Sequence, residues 1–394
     1  MGVDEWGLTW PHRGPRQTAG VEMRAQEPST VNQPIRVLVV EDSVVQRKIL
    51  RSVLEDHPDI EVVGHARNGQ VALNRIEQGG VDVITLDLEM PVMGGIEVLK
   101  RLQAKPAQVG AIVVSAHSEQ GARAALEAMR LGAFDLICKP TSGHGLESAV
   151  ADLKRDLLPR VLACGAYQER RHRRAPGNSR PIAPGAALAR RSHSGVKAPE
   201  LIVLGSSTGG PQALDAVLPL LPASLPVPIL VVQHMPPIFT HSLAESLDRK
   251  CELKVSEAQH CQVAGPGEVL IAPGGKQMKF LRNIAGELSI RITDDPPEKS
   301  CKPSVDYLFR CAAEIMADTT LAVIMTGMGD DGSDSLKLLK SGGARIIAQN
   351  EATCVVFGMP RLAVTLGLAE VILPVGEIAG KIQSWCCGAA RSRS

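Results

Sequence analysis

Three side chains that together could carry out acyl transfer follow three short apolar runs. Ser207 follows LIVLGS in a glycine-rich turn, His234 follows PILVVQ, and Asp331 follows TLAVIMTGMGD. A serine hydroxyl becomes a strong nucleophile when an imidazole takes its proton, and the imidazole needs a carboxylate to fix its tautomer. If the runs are parallel strands, their carboxyl ends meet at one edge of a sheet. The order therefore indicates a Ser-His-Asp hydrolase site.

Each of these residues also has a structural interpretation. A histidine at the end of a strand is more often structural, and Asp330 or Asp331 could cap the helix predicted for SDSLKLLK. The turn at Ser207 could bind a phosphate, although it lacks a Walker lysine and does not match G-x-G-x-x-G. Pro211 suits the first turn of a following helix, whose free N–H groups could stabilise an oxyanion.

A second set of reactive side chains lies at strand ends nearer the N-terminus: Glu41 and Asp42, Asp87, Ser115 and Lys139. Carboxylates at one sheet edge repel each other unless a cation shares them, and oxygen ligands suit Mg²⁺. Lys139 would add positive charge, and the Ser115 hydroxyl could hydrogen-bond a phosphoryl oxygen. The pattern predicts phosphorylation of Asp87. The alternative is that these carboxylates cap the helices that follow.

The elements that must position both sets are short apolar strands alternating with amphipathic helices, which indicates a parallel α/β fold. The first series runs from Ile35 to near Tyr167, and residues 168–198 then lose all periodicity, as a linker does. A second series opens at Glu200 and includes GEVLIAPGGKQMKFLRNIAGELSIRI, which predicts appended hairpins with turns at GG and NIAGE. The predicted organisation is a disordered N-terminal extension at 1–33, a first domain at 34–155, a helix end and basic linker at 156–198, a catalytic domain at 199–385, and a tail at 386–394.

Composition agrees with two folded domains in 394 residues, because apolar residues make up 44% and charged residues 22%. The net charge is only +1, so we expect no general attraction to nucleic acid. Nine cysteines are scattered without C-x-x-C pairs, as expected for reduced thiols. Neither a signal peptide nor an apolar run of membrane-spanning length is evident. These features predict a cytoplasmic protein without membrane insertion, which could start at Met23.

The first series resembles the response-regulator receiver domain over about residues 34 to 155, through VLVVEDS, TLDLEMPVMGG, IVVSAHS and GAFDLICKP. The resemblance implies a flavodoxin-like, five-stranded parallel sheet. It further implies that Asp87 accepts a phosphoryl group from a histidine kinase, with Mg²⁺ held by Glu41, Asp42 and Asp87. Ser115 and Lys139 would form the switch pair. Leu136 departs from the aromatic residue that many receivers carry there, so an aromatic switch is not implied.

The second series resembles the catalytic domain of the chemotaxis protein-glutamate methylesterases, the CheB family, over about residues 198 to 385. The motifs GSSTGG, QHMPP, TGMGDDG and QNEATCVVFGMP carry the resemblance. It implies a doubly wound, mostly parallel α/β sheet, with Ser207 as nucleophile, His234 as general base and acid, and Asp331 as orienting carboxylate. Thr208 and Met328 fall on the oxyanion side, and Ser206 is a neighbour of the nucleophile.

The two resemblances together imply a phosphorylation-activated enzyme of chemosensory adaptation. Its substrates would be methylated glutamates and certain glutamines of methyl-accepting chemoreceptors, and its phosphoryl donor a kinase of the CheA type. Hydrolysis would need no cofactor. The unphosphorylated receiver would pack over the pocket of Ser207.

Two other functions compete with this interpretation. The second domain could have lost catalysis and serve as a phosphorylation-dependent adaptor. A DNA-binding response regulator is disfavoured because the sequence has no recognisable helix-turn-helix and no strongly basic C-terminal domain. The arginine-rich linker is a solvated spacer or, as a second possibility, a docking segment for acidic receptor helices or anionic lipid.

Overall fold

The computed structural model describes residues 33–104, 109–139, 146–173 and 197–387. Most of the predicted N-terminal extension, most of the basic linker and most of the C-terminal tail lie outside these ranges. Across the described ranges, no helix combines the length and the apolar character needed to cross a membrane.

Five parallel strands form the first sheet, as predicted, in the order β2-β1-β3-β4-β5. The strands are β1 (Ile35–Val40), β2 (Ile60–Ala66), β3 (Val83–Asp87), β4 (Gly110–Ser115) and β5 (Asp135–Cys138). The helices are α1 (Val44–Glu55), α2 (Gly69–Glu77), α3 (Gly95–Gln103), α4 (Glu119–Arg130) and α5 (Leu146–Arg173). All residues of β3 and β4 are buried, because helices cover both faces of a parallel sheet.

Helix α5 continues to Arg173, so the prediction that a linker starts at residue 168 is wrong. The side chain of Gln168 is buried, and the Tyr167 ring lies 5.6 Å from that of Phe134. The segment QERRHR lacks apolar periodicity, yet Gln, Glu and Arg are good helix formers and extend a helix that is already nucleated.

Seven parallel strands form the second sheet, in the order β15-β14-β13-β6-β7-β10-β8. Its strands are β6 (Leu201–Ser206), β7 (Ile229–Gln233), β8 (Lys254–Glu257), β10 (Glu268–Ile271), β13 (Thr320–Ile324), β14 (Arg345–Gln349) and β15 (Val371–Leu373). The strands outside this sheet are β9 (Val263–Ala264), β11 (Gln277–Arg282) and β12 (Leu288–Thr293). The helices are α6 (Gly210–Val217), α7 (Phe239–Asp248), α8 (Val305–Met316), α9 (Ser333–Ser341), α10 (Met359–Thr365) and α11 (Val375–Cys387). The predicted doubly wound, mostly parallel sheet is thus confirmed.

One of the two predicted hairpins forms. Strands β11 and β12 pair antiparallel around the NIAGE turn, and β9 joins them in a separate small sheet. The prediction of a hairpin turn at GG is wrong, because β10 runs parallel between β7 and β8 in the large sheet. The apolar run EVLI suits a strand buried on both faces, but its sequence does not say which strands it pairs with.

The strand order decides where the candidate catalytic residues lie. Strand β6 pairs with β13 on one side and with β7 on the other. Asp331, Ser207 and His234 come after β13, β6 and β7, so three neighbouring strands deliver them to the same edge of the sheet.

Candidate active site

The turn at Ser207 connects β6 to α6 at the carboxyl edge of the second sheet. The amide of Ser207 donates to the carbonyl of Thr326 over 3.0 Å, which ties the turn to the end of β13. Ser206, one residue earlier, is fully buried, and its hydroxyl donates to Oε1 of Gln233 over 2.7 Å. The Ser206 hydroxyl is therefore engaged in the protein interior, and Ser207 is also largely buried, with 9% of its area exposed.

His234 and Asp331 meet as predicted. Nε2 of His234 lies 2.8 Å from Oδ2 of Asp331, and both side chains are largely buried. A carboxylate at this distance fixes the ring orientation and stabilises the protonated imidazole. The other ring nitrogen, Nδ1, is the one left to exchange a proton with a nucleophile.

Asp331 also closes the N-terminus of α8. Its carboxylate accepts hydrogen bonds from the backbone N–H groups of Val305 and Asp306, over 2.7 and 2.9 Å, and from the hydroxyl of Ser304 over 2.9 Å. Helix N-termini carry partial positive charge and favour a carboxylate there. The alternative that Asp331 caps α9 is wrong, because its carboxylate binds the N-terminus of α8 and holds His234 at the same time.

The pKa values of the pair follow from this arrangement. Burial alone would lower the pKa of His234, but the hydrogen bond to Asp331 and the nearby Cys301 raise it to about 9. Burial alone would raise the pKa of Asp331, but His234 and the amides of Asp306 and Val305 lower it. The site therefore stabilises an imidazolium beside a carboxylate, which is the ion pair that forms when a serine gives up its proton.

Ser207 is linked to His234 through the backbone. The amide of His234 donates to the carbonyl of Ser206 over 3.1 Å, and the Gln233 side chain donates to the carbonyls of both Ser207 and His234. Over the ranges that the structure describes, no hydrogen bond joins the Ser207 hydroxyl to the His234 ring. The structure thus joins two members of the predicted triad directly and places the third on the adjacent strand end.

Thr208 and Met328 are the two residues predicted to lie on the oxyanion side; Thr208 follows Ser207 in the turn, and Met328 follows Gly327 after β13. In the described part of the chain, the backbone N–H groups of both residues have no protein acceptor. The segment that carries Met328 lies very close to the nucleophile, because a Cβ at Gly327 would stand 2.9 Å from Cβ of Ser207. Free amides beside a hydroxyl are the groups that stabilise a developing oxyanion.

The first sheet collects its reactive groups as predicted, except for Ser115. Nζ of Lys139 lies 2.7 Å from Oδ2 of Asp87 and 3.1 Å from Oε2 of Glu41. The hydroxyl of Ser115 instead donates to the carbonyl of Gly121 in α4, over 3.0 Å. Leu136, the departure from the aromatic pattern, is buried in β5.

The carboxylates around Asp87 fit a divalent cation. Ligand oxygens of Glu41, Asp42 and Asp87 lie within 4.8 Å of one another. Burial together with Asp87 raises the pKa of Glu41, although Lys139 acts in the opposite direction. Burial would lower the pKa of Lys139, but Asp87 and Glu41 raise it. The site holds more negative charge than Lys139 balances, which suits a hard cation such as Mg²⁺.

Both domains are similar to known proteins. The sequence profile of the CheB methylesterases matches residues 202–382, and that of response regulator receiver domains matches residues 37–151. A protein-glutamate methylesterase/protein-glutamine glutaminase of Desulfotalea psychrophila is 43% identical over 357 residues, 88% of this chain and 97% of that protein. This chain belongs to that family. The relative of the same name from Bacillus subtilis is 41% identical over 354 residues, 89% of this chain and 98% of that protein.

Two solved domains of CheB from Thermotoga maritima are also similar. The methylesterase catalytic domain is 42% identical and covers 47% of this chain and 98% of that one, with a TM-score of 0.46. The response regulator domain is 37% identical and covers 34% of this chain and 98% of that one, with a TM-score of 0.31.

Sequence reasoning missed several residues around the catalytic edge of this methylesterase family member. Lys299 binds the carboxylates of Asp306 and Asp334 at 2.9 Å each and donates to the carbonyl of Asp330 over 3.1 Å, so it anchors the loop that carries Asp331. Sγ of Cys301 lies 3.7 Å from Nδ1 of His234. Both come from the connection between β12 and α8, which carries no strand-end signal. Only Ser304, as a helix N-cap, could have been found from its sequence context.

Proposed function

We propose that this chain is a phosphorylation-activated serine hydrolase that removes methyl groups from glutamate γ-methyl esters of chemoreceptors and deamidates receptor glutamines in the cytoplasm. The observation that carries the proposal is the His234–Asp331 pair, held at the N-terminus of α8 beside the Ser207 turn. Membership of the methylesterase/glutaminase family supports the substrate, because relatives over nearly their whole length bear that name.

The reaction uses the three strand-end residues in turn. Ser207 Oγ attacks the ester carbonyl while Nδ1 of His234, the nitrogen not held by Asp331, takes the hydroxyl proton. The tetrahedral intermediate collapses, the C–O bond to the methoxy group breaks, and His234 returns the proton to methanol. Water then attacks the acyl-enzyme with His234 as base, which releases glutamate and restores Ser207. A glutamine substrate follows the same course with ammonia as leaving group.

The oxyanion is stabilised by backbone groups. The N–H groups of Thr208 and Met328 are free to donate to the oxygen that becomes negative in the tetrahedral intermediate. The Asp331 carboxylate stabilises the imidazolium of His234 at the same moment. Hydrolysis therefore needs no cofactor.

The receiver would take its phosphoryl group on Asp87 from a sensor kinase of the CheA type. Glu41, Asp42 and Asp87 would hold Mg²⁺, which neutralises charge on the incoming phosphoryl oxygens. Lys139 would move from its contact with Asp87 toward the new phosphoryl group, and Ser115 would turn from Gly121 to join it. These two side chains form the proposed switch pair.

Contacts between the receiver and the catalytic domain support inhibition by the unphosphorylated receiver. Both sheets belong to one compact unit of the chain. Arg130 at the end of α4 hydrogen-bonds Ser246 of α7 and lies 3.3 Å from Asp215 of α6. Gln212 of α6 donates to the carbonyls of Met129 and Ala133, over 3.1 and 3.0 Å. Phosphorylation would shift this closed arrangement toward an open one.

The decisive test is methanol release from receptor membranes that carry labelled methyl esters. Ser207→Ala is expected to lower the rate by about 10⁶-fold, as loss of a triad nucleophile does. Ser206→Ala is the matched control, because it removes the neighbouring hydroxyl and leaves the nucleophile in place. A Ser207→Ala protein with wild-type methanol release would instead support the adaptor function.

Inhibition by the receiver is tested on the same substrate with and without a small phosphoryl donor. The donor should raise the wild-type rate and leave that of Asp87→Asn unchanged. Gln212→Ala should raise the unphosphorylated rate by loosening the interface, whereas Arg51→Ala, on the exposed face of α1, should not. Inhibition by the receiver is excluded if the donor does not change the wild-type rate and if unphosphorylated Gln212→Ala is no faster than unphosphorylated wild type.

A further inference from the structure

We propose that His234 and Cys301 form an inhibitory site for a thiophilic divalent cation, Zn²⁺ being the probe. Their ligand atoms, Nδ1 and Sγ, lie 3.7 Å apart at the catalytic edge. The ligand atoms of His234, Cys301 and Asp331 all lie within 4.8 Å of one another. Imidazole and thiolate are the ligands that Zn²⁺ prefers in proteins.

The separation of the two ligand atoms fits a zinc ion. With Zn–S of about 2.3 Å, Zn–N of about 2.0–2.1 Å and a tetrahedral angle, the sulfur and nitrogen of one site stand about 3.5 Å apart. The observed 3.7 Å is close to this value, so the ion needs little movement of either side chain. Water would fill the remaining coordination positions.

Asp331 already holds the ring nitrogen of His234 that would face away from the metal ion. Nε2 of His234 lies 2.8 Å from the Asp331 carboxylate, which leaves Nδ1 as the metal-facing nitrogen. Histidine ligands of zinc commonly donate their other N–H to a carboxylate, which fixes the tautomer and makes the ring a better ligand. Thus the arrangement that prepares His234 as a base equally prepares it as a ligand.

The lysines that flank Cys301 are both paired with carboxylates, which limits their repulsion of a cation. Lys299 is bound by Asp306, Asp330 and Asp334. Lys302 lies 3.4 Å from Asp294, a carboxylate that Lys276 also binds. As Zn²⁺ binds, the Cys301 thiol and the protonated His234 ring each release a proton to solvent, so that the ion takes a thiolate and a neutral imidazole.

The functional consequence rests on the proposed esterase mechanism. A cation on Nδ1 occupies the lone pair that would accept the Ser207 proton, while Nε2 stays committed to Asp331. The bound enzyme lacks its general base, which is expected to cost about 10²-fold or more in rate. Removing the cation with a chelator should restore the activity, because no covalent bond to carbon forms or breaks.

The binding test uses Co²⁺ as a coloured substitute for Zn²⁺, on the full-length protein with excess Mg²⁺ to occupy the oxygen site near Asp87. Wild type should show a thiolate-to-cobalt charge-transfer band that Zn²⁺ abolishes. Cys301→Ser should lose the band, whereas Cys261→Ser, which removes an exposed cysteine elsewhere, should keep it. Asp331→Asn should keep the band but bind about tenfold more weakly.

The inhibition test compares methanol release with and without Zn²⁺ for each protein. The ratio of the rate with Zn²⁺ to the rate without it should fall well below one for wild type and Cys261→Ser. For Cys301→Ser this ratio should stay near one. No band in wild type, or a band retained in Cys301→Ser, overturns the site whether or not the chain is an esterase. A cobalt band at Cys301 with no zinc inhibition of an active enzyme overturns the inhibitory role.

Discussion

Thr208, the residue after the proposed nucleophile, donates its hydroxyl to Oδ2 of Asp135 in the receiver over 2.6 Å. Asp135 begins β5 and also binds Arg160 of α5 at 3.0 Å. A receiver carboxylate is thus attached directly to the turn that carries Ser207. This contact links the receiver to the turn of the proposed nucleophile with no intervening residue.

Replacing Asp135 by Ala should raise the esterase rate of the unphosphorylated protein. A charged hydrogen bond worth about 1.5 kcal/mol holds the closed form, so its loss should open the site about tenfold more often. Methanol release without phosphoryl donor measures the effect. Asp156→Ala, an exposed carboxylate on α5, should leave the rate unchanged. The contact does not restrain the enzyme if Asp135→Ala has the wild-type rate without donor and the full activated rate with donor.

The esterase rate should rise with pH as His234 loses its proton. Only neutral His234 can take the proton of Ser207, and its pKa of about 9 places half of the rise near that pH. Asp331→Asn removes the carboxylate that raises the pKa, so the profile should move to lower pH while the plateau falls by about 10⁴-fold. Asp330→Asn is the control, with an unshifted profile. The measurement is kcat/KM against pH in chelated buffer, and an unshifted Asp331→Asn profile would contradict the assignment.

Removing divalent cations should stop phosphorylation of the receiver without stopping ester hydrolysis. A chelator should abolish phosphorylation of Asp87, because the carboxylates of Glu41, Asp42 and Asp87 then repel the incoming phosphoryl group. The unphosphorylated esterase rate should not fall, since hydrolysis uses only side chains and backbone amides. Labelled phosphoryl incorporation and methanol release are measured on the same sample. A fall of the unphosphorylated rate that Mg²⁺ restores would show that hydrolysis itself needs the cation.

Gly327→Ala should damage the active site and destabilise the fold. The new Cβ would lie 2.3 Å from Sδ of Met359 and 2.9 Å from Cβ of Ser207, so the neighbours must shift. Overpacking of this kind costs about 1–3 kcal/mol. Gly380→Ala, in a helix position with open space, should instead stabilise by about 0.5–1 kcal/mol. Urea unfolding gives both free energies, and methanol release should fall for Gly327→Ala alone. Equal stability of the two variants would contradict the close approach.

The sequence predicted where strands and helices form better than it predicted which strands pair. Continuous apolar runs such as those of β3 and β6 are recognisable because a strand covered on both faces tolerates few polar residues. The same property leaves the partners of β10 undetermined, because its residues fit a hairpin or the central sheet equally well. The end of α5 was missed for a different reason: its last turns are polar, so only helix propensity extends them.

The residue types and their places at strand ends came from the sequence alone, because side-chain chemistry and strand periodicity are local properties. Only the tertiary structure decided that β13, β6 and β7 are neighbours, that Asp331 binds the N-terminus of α8 as well as His234, and that Ser115 turns toward Gly121. The contacts of Cys301 with His234 and of Asp135 with Thr208 span 67 and 73 residues. No local pattern encodes such contacts, since they arise when separate elements pack against each other.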